Sequence, residues 1–234
     1  MTYRALDDGA IIATAARLSA RIGERFAGSG LSKVARELLA VAEETTARIA
    51  AIRRPRRSIR IWAGLVIALM LALIVALAAT LPLSQERIAL LPLLQVIESA
   101  INDVIFLGIA VFFLMSLETR LKRRDALRAL HQLRSLAHVI DMHQLTKDPE
   151  RLLSPENATA SSPMRTLNRF ELARYLDYCT EMLAIISKLA ALYAQDLDDP
   201  QVLGAVNDIQ SLTTGLSSNI WQKIVILDRT GAAA

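Results

Sequence analysis

A chain of 234 residues that is 53% hydrophobic but only 5% aromatic, with abundant Ala and Leu, points to helices rather than sheets. Its single cysteine, Cys179, excludes an internal disulfide and fits a reducing compartment. The net charge of +4 is concentrated in two arginine-rich blocks that carry no aromatic residues or recognition motif, which speaks against nucleic acid as a partner.

The first thirty or so residues include Arg4, Asp7, Asp8, Arg17, Arg21 and Arg25 and have no long apolar core, so a secretory signal is not expected there. Apolar residues Ile11, Ile12, Ala15, Leu18 and Ile22 recur at helical spacing, as do Val34, Leu38, Val41, Ala42 and Ile49. They predict helices over 10–27 and 32–52, broken at Gly28-Ser29-Gly30, with Ser32 as N-cap of the second. Residues 1–56 therefore read as an N-terminal cytoplasmic helical hairpin.

Residues 61–81 contain no charged side chain. About 20 residues at 1.5 Å each match a 30 Å hydrocarbon core, and a soluble helix of that length with no polar face is not expected. A second apolar run covers 104–117, and reaches bilayer length when extended outward to Ile97. Pro82 closes the first span, and Pro92 stands near the start of the second helix. The predicted hairpin occupies 57–118, with spans at about 61–81 and 97–117. Arg53, Arg54, Arg56, Arg57 and Arg60 flank one end of the first span, and Arg120, Lys122, Arg123, Arg124 and Arg128 follow the second. The loop between the spans offers only Arg87, so both termini are expected in the cytoplasm of an inner-membrane, multi-pass protein. Arg53, Arg54, Arg56, Arg57, Arg60, Lys122, Arg123 and Arg124 are also candidate contacts for anionic lipid headgroups.

Beyond the second span no Pro or Gly interrupts 118–146, so the helix should continue as a cytoplasmic stalk over 119–147. Ala126, Leu130, Leu133, Ala137 and Ile140 keep the four-three spacing of a packed seam. Asp148-Pro149 marks a new helix start within a linker at 148–165, whose 154–163 stretch is rich in Ser, Pro and Thr. Asn157-Ala158-Thr159 forms a glycosylation sequon, which has no meaning on a cytoplasmic face.

Residues 166–230 read as an antiparallel helix pair. Leu172, Leu176, Cys179, Leu183, Ile186, Ala190 and Tyr193 make one seam, with Tyr175, Tyr178, Met182, Ile185, Leu189 and Leu192 beside it. Two adjacent seams suit the centre of a bundle. Asp198-Asp199-Pro200 separates this helix from one carrying Val202, Val206, Ile209, Leu216, Ile220 and Ile224.

Few residues suggest chemistry. Glu98, Asn102 and Asp103 are polar groups inside the outer half of the second span, Asp103 about 21 Å from its inner end. Ionisable groups at that depth face protein or water, so they are candidates for an ion pathway or for a helix–helix contact. His131, His138, His143 and Asp141 lack the spacing of a single-helix metal site, since His131 and His138 stand about 10 Å apart along a helix. The acidic run Asp196, Asp198, Asp199 has no calcium-loop pattern and suits helix capping. Cys179 falls on an apolar seam with no base to activate it. No catalytic residue, cofactor or metal is expected.

The expected fold class is an all-α membrane protein, a two-helix transmembrane hairpin with a cytoplasmic helical bundle. The expected function is that of a non-enzymatic scaffold or adaptor, oligomeric, working through the bundle. Its expected partners are the lipid bilayer, further copies of the chain and a cytoplasmic protein. The alternative is a small ion channel or transport subunit whose pore is lined by acidic residues of the second span.

Overall fold

The computed structural model describes residues 5–80, 90–147, 149 and 167–231. Pro82, the Asp148 cap, the sequon and the linker expected over 148–165 (Pro149 apart) lie outside the described residues. Among the described residues there is no strand. The helices are α1 (Asp8–Arg25), α2 (Gly30–Arg53), α3 (Arg57–Thr80), α4 (Leu90–Leu145), α5 (Arg169–Asp196) and α6 (Pro200–Gly231). They divide into two compact units, one made of Met1–Arg53 with Arg123–Ala234, the other of Arg54–Lys122.

The larger unit is a helical bundle. The hairpin, the stalk and the C-terminal pair, read from the sequence as separate segments, contribute to one core. α5 supplies its centre, packing against α6, α1 and α2. Both α5 seams are buried along their whole length, from Leu172 to Tyr193, because neighbours on several sides leave only a narrow exposed strip at Ala184 and Lys188. Ala126, Ala129, Leu130, Leu133, Leu136, Ala137 and Ile140 of α4 enter the same core. Phe26, just past α1, meets the rings of Tyr175 and Tyr178 edge-on, at centroid distances of 5.5 and 6.2 Å.

Short-range chemistry sets the helix ends. Asp7 caps α1 by accepting the amide of Ala10, so the helix begins earlier than the apolar spacing implies. Gly28 turns the chain with a positive φ of 71°, which a side chain would disfavour. The cap of α2 is not Ser32 but Ser29, whose hydroxyl accepts the Ser32 amide at 3.2 Å. Ser32 lies inside the first turn and donates to the Ser29 carbonyl instead. Gly30 lies so close to the His143 ring that a Cβ there would overlap it. α5 starts on a reciprocal capping box between Asn168 and Glu171, each amide bonded to the other's side chain at 2.8 Å.

The smaller unit contains α3 and the first part of α4. α2 stops one residue before Arg54, because Pro55 offers no amide and disfavours helical geometry in the residue before it. α3 and α4 are each long and apolar enough to cross a membrane, and the apolar window of α3 has no buried residue at all. In α3 the half-buried positions Ile59, Ala63, Ile67 and Met70 follow one line; in α4 Leu107, Ala110, Leu114 and Leu117 do, while Val111 and Ser116 are half-buried away from it. Steps of three and four residues are those of a helix–helix seam. The remaining faces are bare, with Trp62 69% and Leu69 71% exposed.

Candidate functional site

Within the smaller unit, α3 and α4 are tied at one end by Glu118, the first acid after the second apolar run. Its carboxylate accepts the Arg56 amide at 3.2 Å, Nε of Arg60 at 2.7 Å and Nζ of Lys122 at 2.9 Å. Lys122 follows Glu118 by four residues on the same helix, the order that favours such a pair. The hydrogen bonds from Arg60 and Lys122 hold the Glu118 carboxyl at about 2, below its ordinary 4.5. Arg120 turns back over the Phe113 ring at 5.1 Å.

At the other end of α4's apolar run stand Glu98, Asn102 and Asp103, all exposed. None of the three makes a hydrogen bond or ion pair to another described residue. The helix separates them by direction. At 100° per residue Asp103 falls near the line of the α3–α4 seam, whereas Glu98 and Asn102 fall about 120° away from it. They share that second line with Ile105, Phe106, Ile109 and Phe113, every one of them exposed.

In the bundle, the turn between α5 and α6 gathers charge. Asp196 forms a two-pronged pair with Arg53, Nε to Oδ1 at 2.8 Å and Nη2 to Oδ2 at 3.0 Å. That contact raises the Arg53 pKa further above its ordinary value. Asp199 is buried and does two things at once. Its Oδ1 caps α6 through the amides of Gln201 and Val202, and its Oδ2 accepts Nε of Arg123 at 2.6 Å. Asp198 stays exposed. Gln144, also buried, joins α4 to α6 by accepting Nζ of Lys223 at 2.7 Å while donating to Asp141 at 2.6 Å.

The eight basic residues considered for lipid headgroups thus fall into two groups. Arg53, Arg60, Lys122 and Arg123 are held by carboxylates, and the Arg56 amide is engaged by Glu118. Arg54, Arg57 and Arg124 are exposed and make no ion pair with a described residue. His131 and His138 are exposed, and His143 is half-buried beside Gly30. Among the described residues no three His, Cys, Asp or Glu side chains converge on a point that would hold a metal.

Cys179 is fully buried, and burial pushes its thiol up to about 12, so it stays protonated at neutral pH. Tyr193 is also buried, and among the described residues its hydroxyl has no hydrogen-bond partner. Burial raises its pKa, and such an orphan costs about 1–3 kcal/mol. Apolar periodicity marks neither Glu118 nor Gln144; the local signals that point to them are the Glu118–Lys122 spacing of four and the Asp141–Gln144 spacing of three.

No protein-family model, curated protein or solved structure matches this chain, so no residue role comes to it from a relative.

Proposed function

We propose that this is a non-enzymatic two-span protein of the inner membrane, with both termini cytoplasmic, whose bundle is a scaffold or adaptor for a cytoplasmic protein. One observation carries the reading. Most large apolar side chains of α3 up to Val75 and of α4 between Ile101 and Met115 are exposed, while most side chains of the same kind in the bundle are buried. Water is a poor solvent for such faces, at about 25 cal/mol per Å² of apolar surface, and hydrocarbon is a good one. The carboxylate-bound arginines and Lys122 lie beyond the apolar stretch at the end where Trp62 also stands, an arrangement that suits the headgroup layer. The adaptor part of the reading draws on Val139, Met142 and Leu145, exposed on one face of α4 within the bundle unit.

A pore is less well supported. Inward from Asn102 its line continues as Phe106, Ile109 and Phe113, a dry path for an ion.

Cysteine accessibility tests the topology. Cys179 is buried, so single cysteines introduced by Ser84→Cys and Ser218→Cys report on their own sites. A membrane-impermeant maleimide applied to intact spheroplasts should label Ser84→Cys alone, and lysis should add Ser218→Cys. Labelling of both before lysis, or release of the chain by alkaline carbonate, removes the two-span reading.

A further inference from the structure

We infer that the face of α4 made by Asn102, Phe106, Ile109 and Phe113 is covered, in the membrane, by the same face of a second copy of the chain. The inference rests on the two-span reading and gives its oligomer a place.

The α3–α4 seam accounts for one side of α4 in the smaller unit. The Asn102 line is a different side, about 120° round the helix. It is broad and apolar, with Phe106 70% and Ile109 60% exposed, and lipid alone would solvate its rings well enough. Lipid cannot solvate Asn102. On helix rise that residue lies about 22 Å from Leu117, well inside a 30 Å hydrocarbon layer. Its amide carries two donors and an acceptor, and among the described residues nothing meets them. An unsatisfied amide in hydrocarbon is costly, and polar side chains in spans usually bond across to another helix.

A second copy fits this need better than an unrelated helix. Two copies inserted in the same direction place identical residues at identical depth, so a two-fold axis parallel to the membrane normal brings Asn102 to Asn102. An amide is complementary to itself, donating with nitrogen and accepting with oxygen. Phe106 and Phe113 then meet their counterparts one and three turns further in. The charged residues on the same line do not oppose this. Glu98 lies about 28 Å from Leu117, at the outer edge where water reaches, and Arg120 lies past the inner end, turned onto Phe113. Asp103 takes no part, since it falls about 100° round the helix from Asn102.

Energy transfer between donor- and acceptor-labelled copies of the full chain tests the interface. Labels are placed through Ser218→Cys, in liposomes of phosphatidylcholine and phosphatidylglycerol over a range of lipid-to-protein ratios. Wild type should transfer energy beyond a random mixture. Asn102→Leu should weaken association about three- to tenfold, the range expected for one interhelical hydrogen bond, and Asn102→Gln should restore most of it. Met115→Ala is the control, about 140° round α4 from Asn102 and 72% exposed, and should change nothing. The inference is overturned if wild type transfers no energy above random, if Asn102→Leu associates as wild type, or if Met115→Ala weakens association equally. Carbonate extraction of the same liposomes separates the failures. A chain that leaves the membrane sinks the spanning reading, whereas one that stays and is monomeric sinks only the interface.

Discussion

Leu183 and Leu69 are the same side chain in two opposite situations. Leu183, in α5, is wholly enclosed by the bundle, while Leu69, in α3, is 71% exposed. The contrast runs through both units. The bundle uses apolar residues as water-soluble proteins do, on interlocking faces with polar residues outside. The α3–α4 unit keeps a narrow seam for itself and presents the rest outward. Apolar content alone therefore does not distinguish a core from a membrane surface. The periodicity of the apolar residues says more, because a stripe implies a neighbour on one side and a helix apolar all round implies apolar surroundings on every side, whether protein core or hydrocarbon.

The contrast can be broken most directly at its two leucines. Leu183→Ala should destabilise the bundle by about 2–5 kcal/mol, through lost burial and a residual cavity. Leu69→Ala should leave the same chemical-denaturation midpoint within about 0.5 kcal/mol. Equal effects would mean that Leu69 is enclosed in the working protein, and that its face is not solvated by lipid.

A smaller effect sharpens the polar side of the comparison. Asp199→Ala removes the α6 cap and strands Arg123, and should cost about 1–2 kcal/mol in the same measurement. Asp198→Ala, at the preceding residue but exposed, should cost almost nothing.

Glu118 should give a smaller effect still, with a distinct pH signature. Its folded pKa is depressed, so its contribution is present above about 4.5 and fades as pH falls toward about 2. Because Arg60 is largely exposed, that contribution is below about 1 kcal/mol. Denaturation in detergent at pH 6 and pH 3 should show a smaller pH difference in Glu118→Gln than in wild type. An identical pH difference would mean that the clamp does not form.

The least perturbing probe is Cys179 itself. Its buried, high-pKa thiol should resist maleimide at pH 8 until the bundle is unfolded by denaturant. Prompt labelling of the native protein would show a bundle that opens readily.

Much of the bundle is legible from spacing. Ala126, Leu130, Leu133, Ala137 and Ile140 are buried together, as are all thirteen seam residues of α5. The spacing is less reliable near helix ends, where Ile12 and Ile224 are only half-buried and the uncounted Leu227 is buried, and at the edge of a stripe, where Val41 in the middle of α2 is half-buried. A fraying or splaying end sees fewer neighbours than the pattern assumes. The α1 and α2 starts moved for another reason. Asp7 and Ser29 cap by local hydrogen bonds, which hydrophobic periodicity does not register.

The candidate sites are less legible. Glu98, Asn102 and Asp103 are visible as polar residues in an apolar run, and helix geometry alone puts Asn102 on the side of Phe113, yet which side of α4 stays exposed is read only from the structure. The pairing of Arg53 with Asp196 spans 143 residues, and that of Arg123 with Asp199 spans 76. No local rule selects one carboxylate among 23 acidic residues for an arginine so far away. Only the assembled bundle does.

Those two long-range pairs have a consequence for the order of events during synthesis. Arg53 and Arg123 are the residues at which the chain leaves the bundle unit and returns to it, and both are fastened by one turn, Asp196 to Asp199. That turn leaves the ribosome only after everything between the two arginines has already been made. On the two-span reading, Arg53 and Arg123 are therefore unpaired cations throughout insertion, when flanking positive charge decides which side the chain ends remain on. They become ion pairs only afterwards, when α5 and α6 arrive. On that reading the same two residues serve first as an address label and later as a latch, and the late synthesis of the turn keeps the second role from cancelling the first.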